Sequence, residues 1–114
     1  MFYGGVYHNY AKYSDVSKDG KEIIMCGDSY SYNFVNKTLQ SFMIKVNADT
    51  GLIKWGKYYQ DDKALNYIGL LHICKINKAN TKIFANGGLN MYKPIIATFD
   101  YETGKVLEIM LMNT

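Results

Sequence analysis

The sequence predicts an all-β protein made of two consecutive four-stranded antiparallel units, with a small β-barrel or sandwich as the alternative. Three observations carry that expectation. Apolar residues alternate along several short runs, a Thr-Gly reversal occurs twice, and strand and turn signals follow the same order in both halves. Alternation with a period of two marks a half-buried strand.

The clearest stretch is Ser41–Tyr59. Phe42, Ile44 and Val46 fall on one face, with Ser41, Lys45 and Asn47 on the other; Met43 breaks the pattern. The run Asn47-Ala48-Asp49-Thr50-Gly51 then supplies side chains that bond nearby backbone and a glycine that accepts positive φ. Such a loop joins hairpins through a type I turn and a glycine bulge. Ile53, Trp55 and Tyr59 return along the partner strand. An echo follows in Pro94–Met110, where Ile95, Ala97 and Phe99 keep the frame and Asp100–Gly104 makes the turn.

The remaining elements are shorter. Phe2–Tyr13 holds one irregular strand near Val6–Tyr10, and the polar stretch Ser14–Gly20 ends in the turn pair Asp19-Gly20. Glu22–Cys26 is a strand stopped by Gly27-Asp28, and Ser29–Gln40 has a loop's composition. Gln60–Lys63 is a charged connection. In Asn66–Ile76 the positions Leu70, Leu71 and Cys74 suit a helix, but Ile68, Leu70, His72 and Cys74 suit a strand, which Gly69 favours. Asn77–Asn80 is a turn, and Thr81–Ala85 a strand ending at Gly87-Gly88. Gly27 and Gly87 lie 60 residues apart, Gly51 and Gly104 53 apart, so a shorter loop separates two similar units. The 114 residues form one domain, 1–114, with units at about 5–59 and 64–113. Four strands in a unit of this length is the pattern of a propeller blade.

The turns carry a further likeness. Asn47-Ala48-Asp49-Thr50-Gly51-Leu52-Ile53-Lys54-Trp55 resembles the tryptophan-docking motif D-x-x-T-G-K-x-x-W of quinoprotein-like (PQQ-type) β-propellers, with Asn for Asp and Leu for Lys. The second copy, Asp100 to Glu108, keeps Asp100, Thr103, Gly104 and Lys105 but has Glu108 in place of Trp. The resemblance implies two blades of a partial propeller. It also implies structural roles for Thr50, Gly51, Trp55, Thr103 and Gly104, the tryptophan packing between neighbouring blades. It transfers no catalytic residue, quinone site or calcium site. Two blades leave apolar faces and strand edges that soluble proteins cover.

Composition narrows the chemistry. Apolar residues make up 48% and charged residues 20%, which places the chain among globular proteins. The net charge of +3 comes with lysines and no arginine, so the planar fork that reads phosphate or guanine is missing and a nucleic-acid partner is not expected. Eleven tyrosines favour a protein partner, in a homo- or hetero-oligomer, ahead of carbohydrate. The apolar run Tyr67–Cys74 is too short to span a bilayer, and Met1–Gly5 lacks the features of a signal peptide, which slightly favours a cytoplasmic location. Cys26 and Cys74 are expected as buried free thiols, with a disulfide as the alternative.

His8 and His72 lack metal-ligand spacing, and His72 is expected to pack in the core. Asp49, Asp100 and Glu102 are expected as solvated turn carboxylates rather than calcium ligands, and Asp61-Asp62 as an exposed turn. Gly4-Gly5 and Gly87-Gly88 lack the context of a phosphate loop. Asn36-Lys37-Thr38 is a glycosylation sequon by pattern, so Asn36 is a possible sugar site. With no catalytic constellation, cofactor or metal expected, the sequence predicts a non-catalytic interaction or scaffold module, a propeller fragment or subunit in a larger assembly. The alternatives are a share in a quinoprotein-like or glycan-processing enzyme and an extracellular carbohydrate-binding module.

Overall fold

In a computed structural model, which describes residues 9–29, 40–59, 68–89 and 93–111, the chain forms eight strands in two antiparallel sheets. The first contains β1 (Asn9–Val16), β2 (Glu22–Ser29), β3 (Gln40–Asn47) and β4 (Ile53–Tyr59). The second contains β5 (Ile68–Ile76), β6 (Lys82–Leu89), β7 (Lys93–Asp100) and β8 (Val106–Leu111). Each sheet runs in sequence order, and no helix occurs among the described residues. Neither sheet closes on itself, so the barrel alternative is not the fold.

The turn chemistry sets the strand ends. Asn47 Oδ1 accepts from the amides of Asp49 and Thr50, and Asp100 Oδ2 accepts from the amide and hydroxyl of Thr103. Thr50 and Thr103 then accept, through Oγ1, from the amides of Leu52 and Lys105. Gly51 and Gly104 follow at φ 73° and 76°, where a Cβ is strained. One residue past each turn the register slips, leaving Lys54 and Leu107 as bulge residues. The Asn47 and Asp100 carbonyls accept from the Gly51 and Gly104 amides at 2.8 Å, so each reversal closes four residues on, and the bulges fall at Lys54 and Leu107 rather than at the glycines expected to carry them.

Three boundaries differ from the sequence expectation. β1 runs to Val16, so Ser14, Asp15 and Val16 are strand rather than turn; the reversal is confined to Ser17–Lys21. Both β2 and β6 continue past their glycines, because Gly27, Gly87 and Gly88 still pair with β3 and β7. Gly87-Gly88 is therefore strand interior, not a strand end.

The face assignment of β3 also changes. Met43 and Ser41 are fully buried and Lys45 nearly so, all on the face turned to the second sheet. Phe42, Ile44 and Val46 are buried as well, but in a separate cluster with Ile23, Met25 and Ile53 on the far face. A strand covered on both sides loses simple alternation. Met43 was the clue to the real core face.

The main core lies between the sheets. Ile24, Cys26, Met43 and Tyr59 from the first meet Leu71, Cys74, Ile83, Ala85, Ile95, Ala97, Phe99 and Tyr101 from the second. β5 is the strand closest to the first sheet, lying against β1, β2 and β3. As an edge strand it presents unpaired amides. Asp15 Oδ2 accepts from the Ile76 amide at 2.8 Å and Asp28 Oδ1 from the Leu71 amide at 3.4 Å. Cys26 and Cys74, expected as free thiols, are joined as a disulfide across the sheets, with Cα atoms 6.5 Å apart. They face one another because β2 and β5 pack at the core's centre, which spacing along the chain does not reveal.

Candidate functional site

The densest polar chemistry among the described residues surrounds the second Thr-Gly turn, and groups from the first sheet supply it. Trp55 projects from β4 toward Gly104, so close that a Cβ there would stand 2.7 Å from the indole ring. Its Nε1 donates to the Tyr101 carbonyl at 3.2 Å. Lys45 Nζ donates to the same oxygen at 3.0 Å, and Tyr59 OH donates to the Gly104 carbonyl at 2.8 Å. Three donors on one sheet thus satisfy two carbonyls of a turn on the other, where unpaired buried acceptors are costly.

Glu22 completes the arrangement. Its Oε1 accepts from Tyr101 OH at 2.6 Å, and its Oε2 lies 2.6 Å from Lys54 Nζ and 3.7 Å from Lys45 Nζ. Burial alone would raise the Glu22 pKa. The hydrogen bonds from Lys54 and Tyr101, with the charges of Lys45 and Lys54, outweigh it and hold the carboxyl below its ordinary value. Burial first, and Glu22 second, push the Tyr101 phenol well above its ordinary value. The Lys45 ammonium sits 4.0 Å from the Tyr101 ring centroid and 5.9 Å from that of Trp55, a cation–π position that spreads its charge over two rings.

Of the five motif residues, Trp55 and Gly104 meet directly. Thr103 shapes the gripped turn, whereas Thr50 and Gly51 shape the equivalent turn at the first sheet, where a Cβ on Gly51 would meet open space. The sequence reading missed Lys45, Glu22, Tyr59 and Tyr101. Lys45 stood on a face taken for solvent, and nothing in its spacing distinguishes a buried lysine. A signal did exist for Tyr101: an aromatic inside a turn whose counterpart is Ala48.

Other sequence candidates fall elsewhere. His72 is exposed rather than packed, because β5 bulges between Leu71 and Ile73 and the extra residue turns outward. Asp100 caps its own turn, and Asp49 and Glu102 are exposed. No group of three or more His, Cys, Asp or Glu residues fit to hold a metal occurs among the described residues. No described helix is long and apolar enough to cross a membrane. His8, Asn36, Asp61, Asp62, Gly4 and Gly5 lie outside the described residues. No family model, curated protein or solved structure matches this chain.

A second feature is the outer face of the second sheet. Ile73, Phe84, Ile96, Leu107 and Met110 are between 37% and 53% exposed there, and the register sets Ile96 beside Met110. Apolar side chains exposed together on one sheet face, here interleaved in register with Asn86, Lys75 and Thr98, form a candidate contact surface.

Proposed function

We propose that this chain is a two-blade piece of propeller architecture serving as a non-catalytic interaction or scaffold module. The observation that carries the reading is the exposed apolar face Ile73, Phe84, Ile96, Leu107 and Met110. The gripped turn supports it from the other side. Trp55 and Lys45 donate to the Tyr101 carbonyl, Tyr59 to the Gly104 carbonyl and the Tyr101 hydroxyl to Glu22, so their chemistry is consumed in holding sheet to sheet. A partner protein that covers the apolar face removes it from water, at about 25 cal/mol for each Å².

The test compares wild type with Ile96→Asp in extracts of the source cells, by native mass. The reading expects the wild-type chain to run well above 13.0 kDa and the variant to run smaller, with circular dichroism unchanged. A wild-type chain running at its own mass in those extracts overturns it.

A further inference from the structure

The two sheets stack head to tail, and that mode leaves one matching pair of faces. Strand registers put β2 and β6 60 residues apart and β3 and β7 53 apart: Cys26 pairs with Tyr13 and Met43, Asn86 with Ile73 and Ile96. By this correspondence the face that the first sheet turns inward (Tyr13, Ile24, Cys26, Met43) matches the outward face of the second (Ile73, Phe84, Asn86, Ile96). Likewise the inward face of the second sheet (Leu71, Cys74, Ala85, Ala97) matches the outward face of the first (Ala11, Ser14, Met25, Ile44). On the first sheet Ile44 is already buried with Phe42 and Val46, but β1, the counterpart of the strand β5 that makes the internal contact, is open on this face at Ala11 and Ser14, so the free matching half is the β1 side.

We propose that a second copy of this chain docks by continuing the stack, the outer face of its second sheet against the β1 side of the outer face of the first sheet here. The inference rests on the interaction reading above and names its partner. Three particulars support it. The disulfide position pair, Cys26 and Cys74, corresponds between copies to Asn86 and Ser14, both exposed and able to share a hydrogen bond. Where Cys74 receives Cys26 inside the chain, the first sheet has an open depression of about 420 Å³ lined by Ala11, Tyr13, Ser14 and Met25. Where Glu22 meets the gripped turn, the second sheet has Lys82, and the turn it would meet carries Asp49. Glu108 replaces Trp55 at this contact, so it lacks the indole dock and is weaker than the internal one. A head-to-tail contact either closes a ring or extends a filament. Three or four copies give the six or eight blades of common propellers.

The experiment uses the purified full chain carrying Ser14→Cys and Asn86→Cys together. Both positions lie on opposite outer faces, so they cannot join within one molecule. After mild oxidation the expected result is a ladder of linked chains, with a peptide joining positions 14 and 86 identified by mass spectrometry, and no ladder from either single variant. Light scattering on the wild type should give a multiple of 13.0 kDa, and Ile96→Asp should return it to the single-chain mass. A single-chain mass for purified wild type with no 14-to-86 link overturns self-docking. If Ile96→Asp still reduces the native mass in source extracts, the interaction reading survives with a different partner; if it does not, both fall.

Discussion

The indole of Trp55 occupies the space that a side chain on Gly104 would need. Gly104 is thus constrained twice, by its φ of 76° and by a ring from the other sheet, whereas Gly51 at φ 73° has only the first constraint. Gly51→Ala should cost about 1 kcal/mol, the strain of a side chain in the left-handed region. Gly104→Ala should cost about 2–4 kcal/mol, because overpacking adds to the same strain. Equilibrium denaturation of both variants checks the order, and equal losses would show that the indole moves aside freely.

Trp55→Ala should lower stability by about 3 kcal/mol, near the low end for a large core aromatic because the ring is only partly buried. It also leaves the Tyr101 carbonyl with Lys45 as its remaining donor from this group. A loss under about 1 kcal/mol in urea unfolding would mean that the ring adds little beyond the disulfide and the aliphatic core.

The bridge between Cys26 and Cys74 closes a loop of 48 residues' separation. Loops of that size stabilise by about 2–4 kcal/mol, mainly by restricting the unfolded chain. Cys26→Ala with Cys74→Ala should lower the thermal midpoint, and reductant should lower wild type but leave the double variant unchanged. An identical midpoint with and without reductant argues that the bond does not form in solution.

Glu22 gives the acid side of the stability profile a specific origin. Its folded carboxyl is held below the ordinary glutamate value by Lys54, Tyr101 and Lys45 against the opposing effect of burial. A group depressed in this way contributes stability that is complete above its unfolded pKa and lost as pH falls through the folded one. Stability should therefore decline below about pH 4.5. Glu22→Gln should flatten that decline while lowering stability at neutral pH. Tyr101 is displaced upward, so its contribution is complete below the ordinary phenol pKa and fades at higher pH. Tyr101→Phe should flatten the alkaline side, read by chemical denaturation at stepped pH.

Much of the fold was legible because its signals are local. Thr-Gly turns, alternating runs and the doubled order of elements depend on neighbours in sequence, and they located seven of the eight described strands; the first, expected near Val6–Tyr10, is described at Asn9–Val16, and Val6–His8 lie outside the described residues. What failed was non-local. Which face of β3 meets the second sheet depends on β5 and the Tyr101 turn, so Lys45 read as a surface residue although it is 2% exposed. The pairing of Cys26 with Cys74 depends on how β5 crosses the first sheet. His72 was misplaced because a bulge shifts the strand's facing by one residue, and no residue type announces that bulge. Trp55 was anticipated as a dock, but the groups that make the dock polar were not.

The bond between positions 26 and 74 also spans the passage from Tyr59 to Ile68, where the chain leaves one sheet for the other. A protease cutting within that passage would produce two fragments that travel together on a non-reducing gel and part only when thiol is added. Backbone continuity is then dispensable for keeping the halves in partnership, and the nicked protein should retain the folded spectrum of the intact one.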